Sequence, residues 1–221
     1  MNMVSIIKTY PPPPICEGQI LRYAGCKAMD DAVRALMAAC IEEVQDKLTY
    51  KVCYRELPLT ISGDECDFGT FSLRSSNLAT NLDGCERVVV FAATIGVDID
   101  RLIAKYGRIA PSKALMMQAI GAERIEALCD AFCANIAAEL QTGLRPRFSP
   151  GYGDLPLATQ KNVFAQLDCA IHIGLTLNDS LLMSPSKSVT AFIGLTDDDR
   201  TKSKSPCSTC DRQGCAFRGA L

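Results

Sequence analysis

The run from Pro111 to Leu140 limits the fold more than any other part of the chain. Proline at the first turn does no harm, because the donor it lacks has no intrahelical partner there. Behind it, Ala114, Leu115, Met116, Ala119, Ile120, Ile125, Leu128, Phe132 and Ile136 spread small and apolar residues over a broad face. A helix of that composition needs a sheet against one side and another helix against a second. A strand for that sheet lies just upstream. Val88-Val89-Val90-Phe91-Ala92-Ala93 is a β-branched apolar run, short enough for a buried strand, and it ends at Thr94-Ile95-Gly96.

The remaining text fills in around these two elements. Residues 1–28 read as an extended arm in which Pro11-Pro12-Pro13-Pro14 favours polyproline II, a stiff spacer over the surface. Asp30 to Leu48 carries Val33, Met37, Cys40, Ile41 and Val44 at helical spacing. Thr49 to Phe71 alternates and breaks at Ser62-Gly63-Asp64, which predicts two strands and a turn. Arg74 to Asn81 is polar and loop-like, Asp98 to Tyr106 suits a short helix, Ala158 to Ile173 a longer one, and Lys187 to Leu195 a strand. The expected division is an arm over 1–28, an α+β domain over 29–200 and a cysteine-containing tail over 201–221.

Composition excludes several classes of function. With 221 residues the chain can bury one substantial core, and a formal charge of −2 provides no global field for nucleic acid or an acidic membrane. No apolar run approaches the ~20 residues that span a bilayer. The opening Met1-Asn2-Met3-Val4-Ser5-Ile6-Ile7-Lys8 lacks the pattern of a secretory signal, so a cytoplasmic location is expected. Twelve cysteines is a high count, but Cys40, Cys129, Cys133 and Cys169 fall at apolar positions where a free thiol acts as a small hydrophobe. A disulfide framework is not expected in a reducing compartment. Cys207, Cys210 and Cys215 form the one real cluster. Three thiolates at that spacing suit zinc or an iron–sulfur cluster with one position left open, and a redox-active or plain thiol tail is the alternative.

Between the long helix and the last strand lies Arg147-Phe148-Ser149-Pro150-Gly151-Tyr152-Gly153-Asp154-Leu155-Pro156. Pro150 presets its own φ and extends Ser149, while Gly151 and Gly153 allow a sharp bend. The loop thus places a guanidinium at its entrance, suited to carboxylate or phosphate, and a phenol at its crest. A structural turn is the alternative reading. Within the long helix, Glu123 pairs with Arg124 or solvent, and Glu126 lies on a more apolar flank, solvated unless a ligand claims it. His172 is the single histidine, and a boundary position explains it without a metal.

Arg147-x-x-Pro150-Gly151-Tyr152, extended by Ile173-Gly174-Leu175-Thr176-Leu177, Met183-x-Pro185 and Ser188-Val189, resembles the activation domain of cobalamin-dependent methionine synthase. The likeness covers roughly residues 85–195, and Ala119 to Leu128 is similar to the helix that bears a ligand-contacting glutamate in that family, here Glu126. The resemblance implies an α+β fold, a twisted antiparallel sheet with flanking helices, standing here as a free-standing protein. It implies S-adenosylmethionine binding by Glu126, Arg147, Ser149, Pro150, Gly151 and Tyr152, with Arg147 on the methionine carboxylate. It further implies a part in methionine biosynthesis: reductive activation, in which a methyl group and an electron from a donor restore methylcobalamin. The chain has no Asp-x-His-x-x-Gly motif for vitamin B12, so cobalamin would come on a partner, a methionine synthase or other corrinoid protein, and the chain would act in trans as an accessory of that methyltransferase. The alternatives are a redox protein using the tail cysteines to deliver electrons to a corrinoid protein, and a non-catalytic docking adaptor.

Overall fold

The structure, a computed structural model, describes residues 4–26 and 28–196. Its first half runs β1 (Ile6–Tyr10), α1 (Glu17–Ala24), α2 (Asp31–Val44), β2 (Tyr50–Pro58), β3 (Thr60–Ser62), β4 (Glu65–Asp67), β5 (Ser72–Arg74) and α3 (Ser76–Asn81). There follow β6 (Arg87–Thr94), α4 (Asp98–Ile109), α5 (Pro111–Leu140) and β7 (Gly143–Leu144). After a 3₁₀ turn come α6 (Gln160–Leu167), α7 (Cys169–Ile173), β8 (Thr176–Leu177), β9 (Met183–Ser184) and β10 (Ser188–Thr196).

The main sheet is antiparallel throughout, in the order β1-β2-β6-β10-β7. Its middle strand β6 is covered on both faces, which is why Val88 to Ala93 reads as an unbroken apolar run and not as an alternation. Val89, Phe91 and Ala93 face a core shared with α2, α4 and α5, while Val88, Val90 and Ala92 face a second core with α3, α6 and α7. Phe132 of α5 anchors the first core, its ring 4.9 Å from that of Phe91 and 5.3 Å from that of Tyr54. The fold is α+β with a twisted antiparallel sheet and flanking helices, as expected.

Residues 49–71, expected as two strands and a turn, hold β2 of the main sheet and the separate β3-β4 hairpin, and three further segments differ from the sequence reading. Within 1–28, β1 pairs with β2 in register from Ile6 opposite Tyr54 to Tyr10 opposite Tyr50, and α1 follows it. Only residues 11–16 link the two, and they are pinned to α5 from below. Arg124, 3 % exposed, donates to the carbonyl oxygens of Pro13 at 2.5 Å and Pro14 at 2.7 Å. Glu123, 1 % exposed, pairs with Arg124 Nε at 2.5 Å and accepts from the Cys16 amide at 3.0 Å. The proline carbonyls, which no ladder or helix satisfies, find their partner in a buried guanidinium.

The second difference lies at residues 76–81, polar text that nevertheless forms α3: Ser75 Oγ accepts from the Leu78 amide at 3.0 Å, a helix N-cap, and Leu78 and Ala79 go into the second core. The third is the helix expected from Ala158 to Ile173, which breaks at Asp168, held at φ 49°. His172 is half-buried at that helix end, as a boundary residue.

Candidate ligand-binding site

Residues 143–148 run alongside β10 and so fix which way each side chain points. The Arg145 amide donates to Gly194 O at 2.9 Å, and Phe148 exchanges both backbone bonds with Phe192 at 2.9 Å. The register slips by one residue between Leu144, opposite Leu195, and Phe148, opposite Phe192, and this bulge sends Leu144 and Phe148, four residues apart, into the two separate cores. Arg147 lies on the α5 side. There Nη2 donates to Glu126 Oε2 at 2.8 Å, Nη1 to Asp130 Oδ1 at 2.6 Å, and Cys133 Sγ is 3.7 Å from Nη1. Glu126, Asp130 and Cys133 are one turn apart on a helix, so a single guanidinium reaches all three. Burial disfavours the Arg147 cation, but the surrounding groups, Asp130 among them, outweigh it and hold its pKa above the ordinary arginine value. The Cys133 thiol is pushed up by burial and is not a reactive thiolate.

Past Arg147 the chain turns back on itself three times in seven residues. The Tyr152 amide donates to Ser149 O at 3.0 Å, the Leu155 amide to Tyr152 O at 2.9 Å, and the Gly151 amide to Leu155 O at 2.9 Å. Gly153 sits at φ 53°, with Asn77 Oδ1 where a Cβ would go. Asp154 then ties the loop to the start of α3. Its carboxylate accepts from the Ser75 hydroxyl, from the Ser76 amide at 2.8 Å and from the Asn77 amide at 3.2 Å, while its own amide donates to Asn77 Oδ1 at 3.1 Å. The Ser75 hydroxyl and those amides hold the Asp154 carboxyl below the usual range. Tyr152 stands at the crest, 59 % exposed, its ring edge-on to Phe148 at 6.1 Å.

Arg147, Glu126, Ser149 and Tyr152 border one hollow of about 410 Å³, a size that holds a small organic ligand. Leu144 and Val189 form its apolar part, and Cys133, Arg145 and Pro146 complete it. Of the residues singled out in the sequence, Pro150 and Gly151 do not line the hollow and instead shape the bend above it. The structure also corrects the reading of Glu126 as solvated, since it is half-buried on Arg147. Asp130, Arg145, Cys133 and Val189 were missed. Asp130 had a usable signal, a carboxylate one turn beyond Glu126. Val189 stood in the Ser188-Val189 pair of the resemblance without a role attached, and Arg145 had no signal, because strand pairing alone brings it in. Cys207, Cys210 and Cys215 lie outside the described residues. Among the described residues no group of side chains could hold a metal, the nine cysteines are free thiols, and no helix is long and apolar enough to cross a membrane.

No family model matches the chain, and no curated protein matches it. Among solved structures it is similar to the MetH reactivation domain bound to AdoHcy, with a TM-score of 0.66 and 13 % identity over 90 % of this chain and 80 % of that one. At such identity the likeness is one of fold: the chain has the fold of that reactivation domain.

Proposed function

We propose that the hollow binds S-adenosylmethionine, and that the chain serves in trans in the reductive methylation of cobalamin carried by a methionine synthase or related corrinoid protein. The observation that carries the reading is Arg147, set beside Glu126 and Tyr152 on the rim of a ligand-sized hollow. The fold it shares with a domain bound to AdoHcy supports the same ligand class. The side chains suit the group. A guanidinium fork takes an α-carboxylate, Glu126 accepts from an α-ammonium, and the exposed phenol ring of Tyr152 packs on a base.

S-adenosylmethionine brings a methyl group already activated by its sulfonium, so the chain has to position it and needs no general base. Arg147 and Glu126 would fix the amino-acid end, and the Ser149–Leu155 bend, clamped through Asp154, would hold Tyr152 at the other. The electron comes from a separate donor. Titration calorimetry with S-adenosylmethionine tests the reading. Wild type binds, and Arg147→Ala binds about ten- to a hundredfold more weakly, the loss of a charge-assisted hydrogen-bonded pair. Absence of binding by wild type, or equal binding by the variant, removes it.

A further inference from the structure

Arg147 has two terminal nitrogens, and a carboxylate already bonds to each: Asp130 at 2.6 Å and Glu126 at 2.8 Å. Two acids on one guanidinium leave this group one negative charge in excess. Arg145 borders the same hollow, but its guanidinium turns to the Asp83 carbonyl oxygen, and its side chain lies against Cys85 and Leu82, on the sheet face opposite α5. It does not neutralise the pair.

A ligand carboxylate that approaches Arg147 therefore meets like charge, and if it displaces one of the acids it leaves that acid without a cation. An amino-acid head avoids both costs. Its carboxylate takes the vacated donor, and its ammonium, held by the acid that stays, offsets the negative charge the carboxylate brings. Asp130 is the acid that yields, because its side chain is 68 % exposed against 39 % for Glu126 and its carboxylate returns to water.

We propose that Asp130 is a specificity-determining residue of the hollow: it fills the place on Arg147 that an amino-acid carboxylate takes, and it turns away carboxylates that bring no ammonium. The inference rests on the reading of the hollow as a site for an adenosylated amino acid, and adds what the site rejects. The test compares two probes by calorimetry: S-adenosylhomocysteine, and its deaminated analogue with hydrogen in place of the ammonium. Wild type favours the first. In Asp130→Asn and Asp130→Ser that preference falls about fivefold, the equivalent of one charge at ~4 Å in water, because the analogue gains affinity. Both variants lie at an exposed position and keep the wild-type thermal midpoint to within about 2 °C. A preference unchanged in both variants overturns the inference while leaving the ligand reading intact. Failure of wild type to bind S-adenosylhomocysteine overturns the ligand reading, and this inference with it.

Discussion

Replacing Glu123 by Met asks whether the proline linker belongs to the fold or merely lies on it. Glu123 and Arg124 are 1 % and 3 % exposed, and between them they bond to Pro13 O, Pro14 O and the Cys16 amide. Burial disfavours the Arg124 cation, yet Glu123 outweighs that and raises its pKa. Taking away one partner of a buried pair leaves the other charge uncompensated, which costs about 3–5 kcal/mol. At roughly 2–4 °C per kcal/mol for a domain of this size, the melting midpoint should fall by roughly 10 °C. Urea unfolding followed by circular dichroism reads the same loss as a lower midpoint at unchanged slope. Hydrogen exchange adds a local readout, because the Cys16 amide loses its acceptor and should exchange faster. The double variant Glu123→Met, Arg124→Met removes the orphan charge but also the donor to Pro13 O and Pro14 O, and so recovers part of the loss. A single-variant cost below about 1 kcal/mol, or no recovery in the double variant, refutes the account.

The loop and site yield further tests. Asp154 is held below its usual pKa by the Ser75 hydroxyl and neighbouring amides, so its contribution to stability is complete above the unfolded value of about 3.9 and fades as pH falls through the folded value. Asp154→Asn should flatten the acid limb of a melting-versus-pH curve and leave its neutral limb parallel to wild type. Gly153→Ala forces a Cβ into the φ 53° backbone against Asn77, and should cost about 1–2 kcal/mol by urea unfolding and weaken S-adenosylmethionine binding measured alongside. Arg147→Ala should change stability by less than about 1 kcal/mol, since both of its acids reach solvent; a large loss by urea unfolding would make Arg147 a structural residue. Phe132→Ala, at the meeting of Phe91 and Tyr54, should cost about 3–5 kcal/mol by the same assay.

Particular residues show where sequence reasoning reached its limit. Helix α5 was legible from Pro111 to Leu140 because a proline start and a long apolar face are local facts, and β6 was legible because a strand covered on both sides has no polar alternation to hide it. Helix α3 was hidden, since six residues with only Leu78 and Ala79 apolar carry little periodicity and its cap is completed by Asp154 from far along the chain. The N-terminal strand was hidden for a related reason. Ile6 to Tyr10 is short, and what makes it a strand is the open edge of β2 beside it.

The site divides in the same way. Residue types and order alone determined the bend, since Pro150, Gly151 and Gly153 act on their own backbone, and they determined that Arg147 and Tyr152 flank it. Tertiary structure decided what Arg147 touches. Strand pairing with β10 aims it at α5, and the helical repeat then stacks Glu126 and Asp130 where one guanidinium meets both. Local conformational preference is written residue by residue, whereas a charge cluster depends on the register between a strand and a helix, and that register is set by packing across the whole sheet.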